Sequence, residues 1–164
     1  MSEHEITVTV NGQRRQAKVE ARTTLGDFLR SQLGYTGLHL ACEHGVCGAC
    51  TLIVDGRAVR SCLMFAVQVD GSDVRTVEGV AEADGTLSPV QQAMRECHAL
   101  QCGFCTPGVV MTLTSLTEGD QKPDADTLVK AMSGHLCRCT GYQGIRKAIN
   151  QLTGVPVAEA GEHA

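Results

Sequence analysis

Tryptophan is absent from this chain, and only two Tyr and three Phe stand among its 164 residues. Aromatic packing therefore cannot carry the interior, and small aliphatic side chains together with metal ligation must do it. A large excess of charge of one sign is also missing. The formal net charge is -4, and with no Lys/Arg run the chain offers no electrostatic footprint for nucleic acid or an anionic membrane. No apolar run approaches the roughly 20 residues needed to span a bilayer, and Met1 to Val8 lack the basic region and apolar stretch of a secretory signal. A soluble cytoplasmic protein is expected. Nothing resembles a nucleophile–base pair, a phosphate loop or a carboxylate dyad, so chemistry on an organic substrate is expected to take place elsewhere.

What the chain has in abundance is cysteine, nine in all. Eight fall into two unlike quartets: Cys42, Cys47, Cys50 and Cys62, then Cys102, Cys105, Cys137 and Cys139. In a reducing compartment so many thiols are better explained by metal than by disulfides. The first quartet reads C-x4-C-x2-C followed by Cys62, the plant-type ligand spacing for a [2Fe-2S] cluster. A structural zinc site usually pairs two short knuckles across a spacer, which this arrangement does not do. Gly45 and Gly48 lie between the ligands, where the backbone must approach a compact anionic cluster and adopt positive φ. The second quartet is C-x2-C, a long gap, then C-x-C, and spacing alone leaves tetrahedral zinc and iron–sulfur both open. Its context favours a cluster in a buried interior, because Thr106-Pro107-Gly108 after Cys105 and Thr140-Gly141 after Cys139 read as helix starts whose positive ends would face the thiolates.

At this length the chain forms one domain or two small ones. Ile6, Val8 and Val10 alternate as in a half-buried strand, Asn11-Gly12 is a hairpin turn, and Arg14 to Glu20 returns with Ala17 and Val19 on one face. Thr23 or Thr24 then caps a helix with Leu25, Phe28, Leu29 and Leu33 at helical spacing and Gly34 at its end. Thr51 to Val54 and Ala58-Val59 flank Asp55-Gly56 as a second hairpin, and Ser72 to Val77 reads as a further strand. These predict a mixed sheet curled over one helix, residues 1–80. After the polar turn Ala83-Asp84-Gly85-Thr86 strand signals stop. Ser88, Pro89 and Gln91 make a capping-box start, and further helices are predicted over 107–117, 124–132 and 143–152, a small four-helix bundle within residues 81–154. Residues 155–164 read as a tail, frayed or used in docking.

Three motifs carry a resemblance over nearly the whole chain, from Ile6 to about Leu152. They are Cys42-Glu43-His44-Gly45-Val46-Cys47-Gly48-Ala49-Cys50-Thr51, then Gln101-Cys102-Gly103-Phe104-Cys105-Thr106-Pro107-Gly108, then Leu136-Cys137-Arg138-Cys139-Thr140-Gly141-Tyr142. Together they resemble the iron–sulfur subunit of the molybdenum hydroxylases, the xanthine dehydrogenase, aldehyde oxidoreductase and aerobic carbon monoxide dehydrogenase family. The resemblance implies an α+β fold, an N-terminal plant-type ferredoxin-like β-grasp followed by a C-terminal four-helix bundle. It implies a [2Fe-2S] cluster on each quartet and a molybdopterin cytosine dinucleotide in a separate large subunit, touched by Gln101 and by the Cys139 region. An amide suits that contact, offering donor and acceptor to a heterocycle edge. A medium subunit carrying FAD, or another acceptor, would receive the electrons. Where some relatives have Asn before Leu-Cys-Arg-Cys, this chain has His135.

Cys97 matches no ligand position and reads as a small buried hydrophobe. His39 and His44 flank the first loop as surface imidazoles, in preference to groups that tune its potential. Arg138, between two ligands, reads equally as charge compensation or as an ordinary exposed arginine. Met64 and Phe65 pack or meet a partner. Two rival functions are a freestanding ferredoxin-type shuttle and a zinc-stabilised interaction module.

Overall fold

The structure, a computed structural model, describes residues 3–119 and 122–154. The predicted tail over 155–164 lies outside the described residues. Chain folding begins with a hairpin of β1 (Glu3–Val10) and β2 (Gln13–Glu20), paired from Glu3 with Glu20 to Val10 with Gln13. Its turn needs left-handed backbone at both central residues, and Asn11 (φ 50) and Gly12 (φ 76) supply it.

Thr24 caps α1 (Leu25–Asp27) by accepting the Asp27 N–H. The predicted helix continues differently from expectation, as one π turn over Phe28–Gln32 closed by Leu33 N–H on Phe28 O at 3.2 Å. This wider turn keeps Phe28 and Leu29 in the core, while the Arg30 guanidinium reaches the carbonyls of Thr36 and Leu38.

A second hairpin joins β3 (Thr51–Val54) to β4 (Arg57–Arg60). The last strand, β5 (Asp73–Arg75), is shorter than the predicted 72–77. Its continuation is interrupted because the Thr76 N–H bonds Asn11 Oδ1 at 2.9 Å instead of a strand, and Val77–Gly79 turns as a 3-10 helix. The sheet order is β2-β1-β5-β3-β4, with β1 and β5 parallel and the other pairs antiparallel. Its inner face, with Val8, Val10, Leu52 and Val74, closes on Leu25, Phe28 and Leu29.

Ser88 and Gln91 form the reciprocal capping box that starts α2 (Pro89–Glu96), with proline in its first turn. α3 (Thr106–Thr117) is buried at every residue from Gly108 to Thr114, so it is the central helix rather than a surface one. Asp124 caps α4 (Ala125–Met132), and α5 (Gln143–Thr153) ends on left-handed Gly154. α2 packs on α3 and α5, α4 on α3 and α5, and α3 also lies along β3, so that Ile53 joins the helical core. The result is a mixed sheet plus helices, with two hydrophobic cores that meet along α3. Among the described residues no helix is long and apolar enough to cross a membrane.

Candidate metal centres

The first quartet sits on the loop that leads into β3 and on the 3-10 turn Ser61–Leu63 that follows β4. The β3–β4 hairpin is what returns Cys62 to the loop: the Sγ atoms of Cys50 and Cys62 are 3.3 Å apart and both residues are buried. Cys42 and Cys47 form the outer, half-buried pair, with the Cys47 N–H 3.4 Å from the Cys42 sulfur. Main-chain N–H groups of Cys47, His44 and Val46 converge on that sulfur and bring the Cys42 thiol down to about 6. Burial works the other way at Cys62, whose thiol is pushed up to about 11, with its bond to Cys50 adding to the effect.

Gly45 and Gly48 take positive φ (84 and 78), as the spacing predicts. Each glycine also lets another part of the chain come close. A Cβ on Gly45 would stand 2.4 Å from Leu63 Cδ1, and one on Gly48 would stand 2.4 Å from Gly134 O and 2.5 Å from His135 Nδ1. Gly48 is therefore a seat for the second half of the chain.

The second quartet follows the same plan. Cys102 and Cys139, with sulfurs 3.4 Å apart, are exposed, while Cys105, buried, and Cys137, half-buried, interact through their side chains beneath them. The expected buried interior is corrected: this quartet lies at the edge of the helices, and its outer pair opens on the surface. Burial, with the bond to Cys137 adding to it, pushes the Cys105 thiol up to about 12. At Cys137 burial is outweighed by the Thr140 hydroxyl and the N–H groups of Thr140 and Cys139, which bring the thiol down. The Phe104 N–H lowers Cys102, and the hydrogen bond that Cys139 donates to the Cys102 sulfur raises Cys139. Iron would deprotonate all eight, and the downward shifts at Cys42, Cys102 and Cys137 mark where N–H groups already await negative charge.

Of the two expected helix starts, one stands. α3 begins at Thr106 with Cys105 as its N-cap. α5 does not begin at Thr140 but at Gln143, because Thr140 Oγ1 is engaged with the Cys137 sulfur at 3.1 Å and takes the Tyr142 N–H, and Tyr142 turns left-handed (φ 62).

Among the described residues no three of His, Cys, Asp and Glu gather as ligands of one ion would. The thiols meet in twos. Four pairs, an inner and an outer one in each quartet, fit two binuclear clusters that take two thiolates on each iron.

Other residues singled out by sequence take varied places. Gln101 is exposed beside Cys102. Arg138 is exposed. His44 is exposed and its Nδ1 lies on the Cys42 carbonyl. His39 is more than a surface imidazole, since it stacks on Phe104 with ring centroids 4.8 Å apart and its Nδ1 is 2.8 Å from Phe104 O. Cys97 is half-buried rather than buried, with its sulfur 3.2 Å from Gln151 Oε1. Met64 packs on the first core, while Phe65 stays exposed.

Sequence reasoning missed the seam between the quartets. The Leu136 N–H donates to Cys47 O at 2.9 Å. Arg60 donates to Gly134 O at 2.7 Å and to the Thr51 hydroxyl. No local signal announces these contacts, whose partners lie more than 70 residues apart in two of the three cases.

Residues 8–77 match the family model described as a 2Fe-2S iron-sulfur cluster binding domain, and residues 76–150 the one described as a [2Fe-2S] binding domain. The small subunit of nicotine 6-hydroxylase from Paenarthrobacter nicotinovorans is 54% identical over 150 residues, 92% of this chain and 90% of that one. The gamma subunit of caffeine dehydrogenase from Pseudomonas sp. (strain CBB1) is 53% identical over 156 residues, 93% of each. Among solved structures, a chain of quinoline 2-oxidoreductase from Pseudomonas putida 86 superposes with a TM-score of 0.84 at 44% identity, covering 93% of this chain and 94% of that one.

Proposed function

The chain belongs to the small iron–sulfur subunits of the molybdenum hydroxylases, an electron-transfer role, and from that premise we propose how its residues carry it out. Cys42, Cys47, Cys50 and Cys62 hold one [2Fe-2S] cluster, and Cys102, Cys105, Cys137 and Cys139 hold the other. The observation that carries this reading is the closing of all eight thiols into four pairs at two adjoining sites. When bound, the clusters supply one-electron carriers. The protein's own work is to hold them, to aim N–H groups at their sulfurs, and to keep their loops in contact. Residues 1–80 form the ferredoxin-like β-grasp unit and 81–154 a four-helix bundle.

The exposed rims support the reading of the partners. Cys102 and Cys139 open on a surface with exposed Gln101, Leu100, Phe104 and Leu136. This rim faces the large subunit, where Gln101 and the Cys139 region touch a molybdopterin cytosine dinucleotide. Exposed Val46 adjoins Cys47 and exposed Leu63 lies against Gly45 beside the outer pair of the first quartet, and this rim faces a medium subunit carrying FAD, or another acceptor. Exposed apolar side chains gathered at two redox edges are what a heteromeric interface covers. The thiol-rich composition supports a cytoplasmic setting for the complex.

The test is compositional. A tag on this chain should recover two larger subunits, with molybdenum, iron, acid-labile sulfide and FAD in the same fraction, and with cytidine nucleotide released on denaturation. Recovery of the chain alone with iron would point to a freestanding shuttle. Recovery with zinc and no iron would sink the assignment.

A further inference from the structure

His135 has no work in the account so far, yet it is 1% exposed. Its Nε2 lies 2.7 Å from Thr112 Oγ1, midway along α3. Its Nδ1 is buried without a hydrogen-bond partner and faces Gly48. The carbonyl of His135 takes the Tyr142 hydroxyl at 3.0 Å, and the same hydroxyl oxygen accepts the Cys137 N–H at 2.9 Å. On one side of His135, Gly134 O is held by Arg60, and on the other the Leu136 N–H reaches Cys47 O. The ring is thus fastened in a helix, while its own main chain joins one cysteine site to the other.

A buried imidazole with an orphaned nitrogen costs more than an apolar side chain of the same size, so the ring's single hydrogen bond is where its value lies. That bond ties a loop segment to the most buried helix. Without it, the segment over 134–137 would depend on Arg60, Tyr142, the Leu136 bond itself and the turn bonds of the Gly134 and His135 N–H groups to Ala131 O and Met132 O at the end of α4.

We propose that His135 is a positioning residue, a latch fastened by Thr112 that keeps residues 134–137 on the Cys47–Gly48 turn and so sets the electronic contact between the two cysteine sites. This rests on the reading that each site holds a cluster. The step it governs moves one electron from a reduced cluster to an oxidised one, with no bond made or broken.

The test uses the complex purified through a tag on this chain. Thr112→Val deletes the hydroxyl at nearly constant volume, His135→Leu deletes the ring nitrogen, and Thr112→Ser keeps the hydroxyl. Amide hydrogen exchange at Leu136 should quicken roughly tenfold or more in both loss variants, the scale expected when a buried polar group loses its partner. It should stay near the parent rate in Thr112→Ser, and the amides of β1 should not change in any variant. In dithionite-reduced samples the splitting of each cluster's EPR signal by the other should shrink in Thr112→Val and be kept in Thr112→Ser. Parent-like Leu136 exchange and splitting in whichever loss variant assembles would overturn the latch, as would an opening in Thr112→Ser equal to that in Thr112→Val. A parent complex lacking two cluster signals would instead overturn the function, and Leu136 exchange would still decide the latch.

Discussion

The main-chain N–H of Leu136 donates to the carbonyl oxygen of Cys47 over 2.9 Å, so a single hydrogen bond separates a residue of the first cysteine quartet from the neighbour of Cys137 in the second. Two glycines make that approach possible. Gly48 carries His135 and Gly134 against its Cα, and Gly108 of α3 carries the Gly48 carbonyl. Several consequences of this close seam are measurable.

Gly108→Ala reverses an ordinary expectation. Alanine inside a helix is favoured over glycine by up to about 1 kcal/mol. Here the new Cβ would stand 2.2 Å from Gly48 O and 3.2 Å from Ala49 O, both main chain. The substitution should lower stability by about 1–3 kcal/mol, the usual cost of overpacking, read as a fall in Tm of the complex. A rise in Tm would show that the two halves lie farther apart than this.

Gly48→Ala meets two obstacles at once, positive φ and the Gly134–His135 segment. Strain of about 1–3 kcal/mol from the backbone alone is expected, and the first quartet should lose cluster occupancy before the second does. Iron content and visible absorption of the purified variant measure this. Full occupancy with an unchanged spectrum would contradict it.

Cysteine substitutions should separate into two classes. Cys62→Ser removes a buried inner thiol whose partner is Cys50, and should abolish one EPR signal while sparing the other. Cys97→Ser changes a half-buried thiol bonded only to the surface residue Gln151 in the hydrogen bonds described, and should leave iron content and both signals as they are. A cluster lost in Cys97→Ser would place a ninth thiol in the metal chemistry.

Ser88→Ala deletes the hydroxyl that accepts the Gln91 N–H in the α2 capping box. The loss should be about 1 kcal/mol of stability without change in either cluster signal, as checked by denaturant unfolding beside EPR of the same preparation. A shifted signal would mean that α2 reports to the metal sites.

Much of this architecture is legible from sequence where the determinants are local. Asn11-Gly12 and Asp55-Gly56 set their hairpins through two adjacent left-handed residues, and Ser88 and Asp124 mark helix starts with bonds three residues long. The quartets are legible for the same reason, since most ligands share short spacings. What escaped depends on distant partners or on side chains diverted to the cysteine sites. β5 stops where Asn11, 65 residues away, takes the Thr76 N–H, and α5 starts late because Thr140 serves the Cys137 sulfur and the Tyr142 N–H. The exposure of Cys102 and Cys139 and the place of His135 between the quartets follow from packing across the seam, which no spacing encodes.

The most direct test of the account is low-temperature EPR, with iron, zinc and molybdenum analysis, on the dithionite-reduced complex purified through this chain. Two distinct [2Fe-2S] signals that split one another, with molybdenum in the same material, are the predicted result. A single signal, or zinc in place of iron, would contradict the assignment of both quartets.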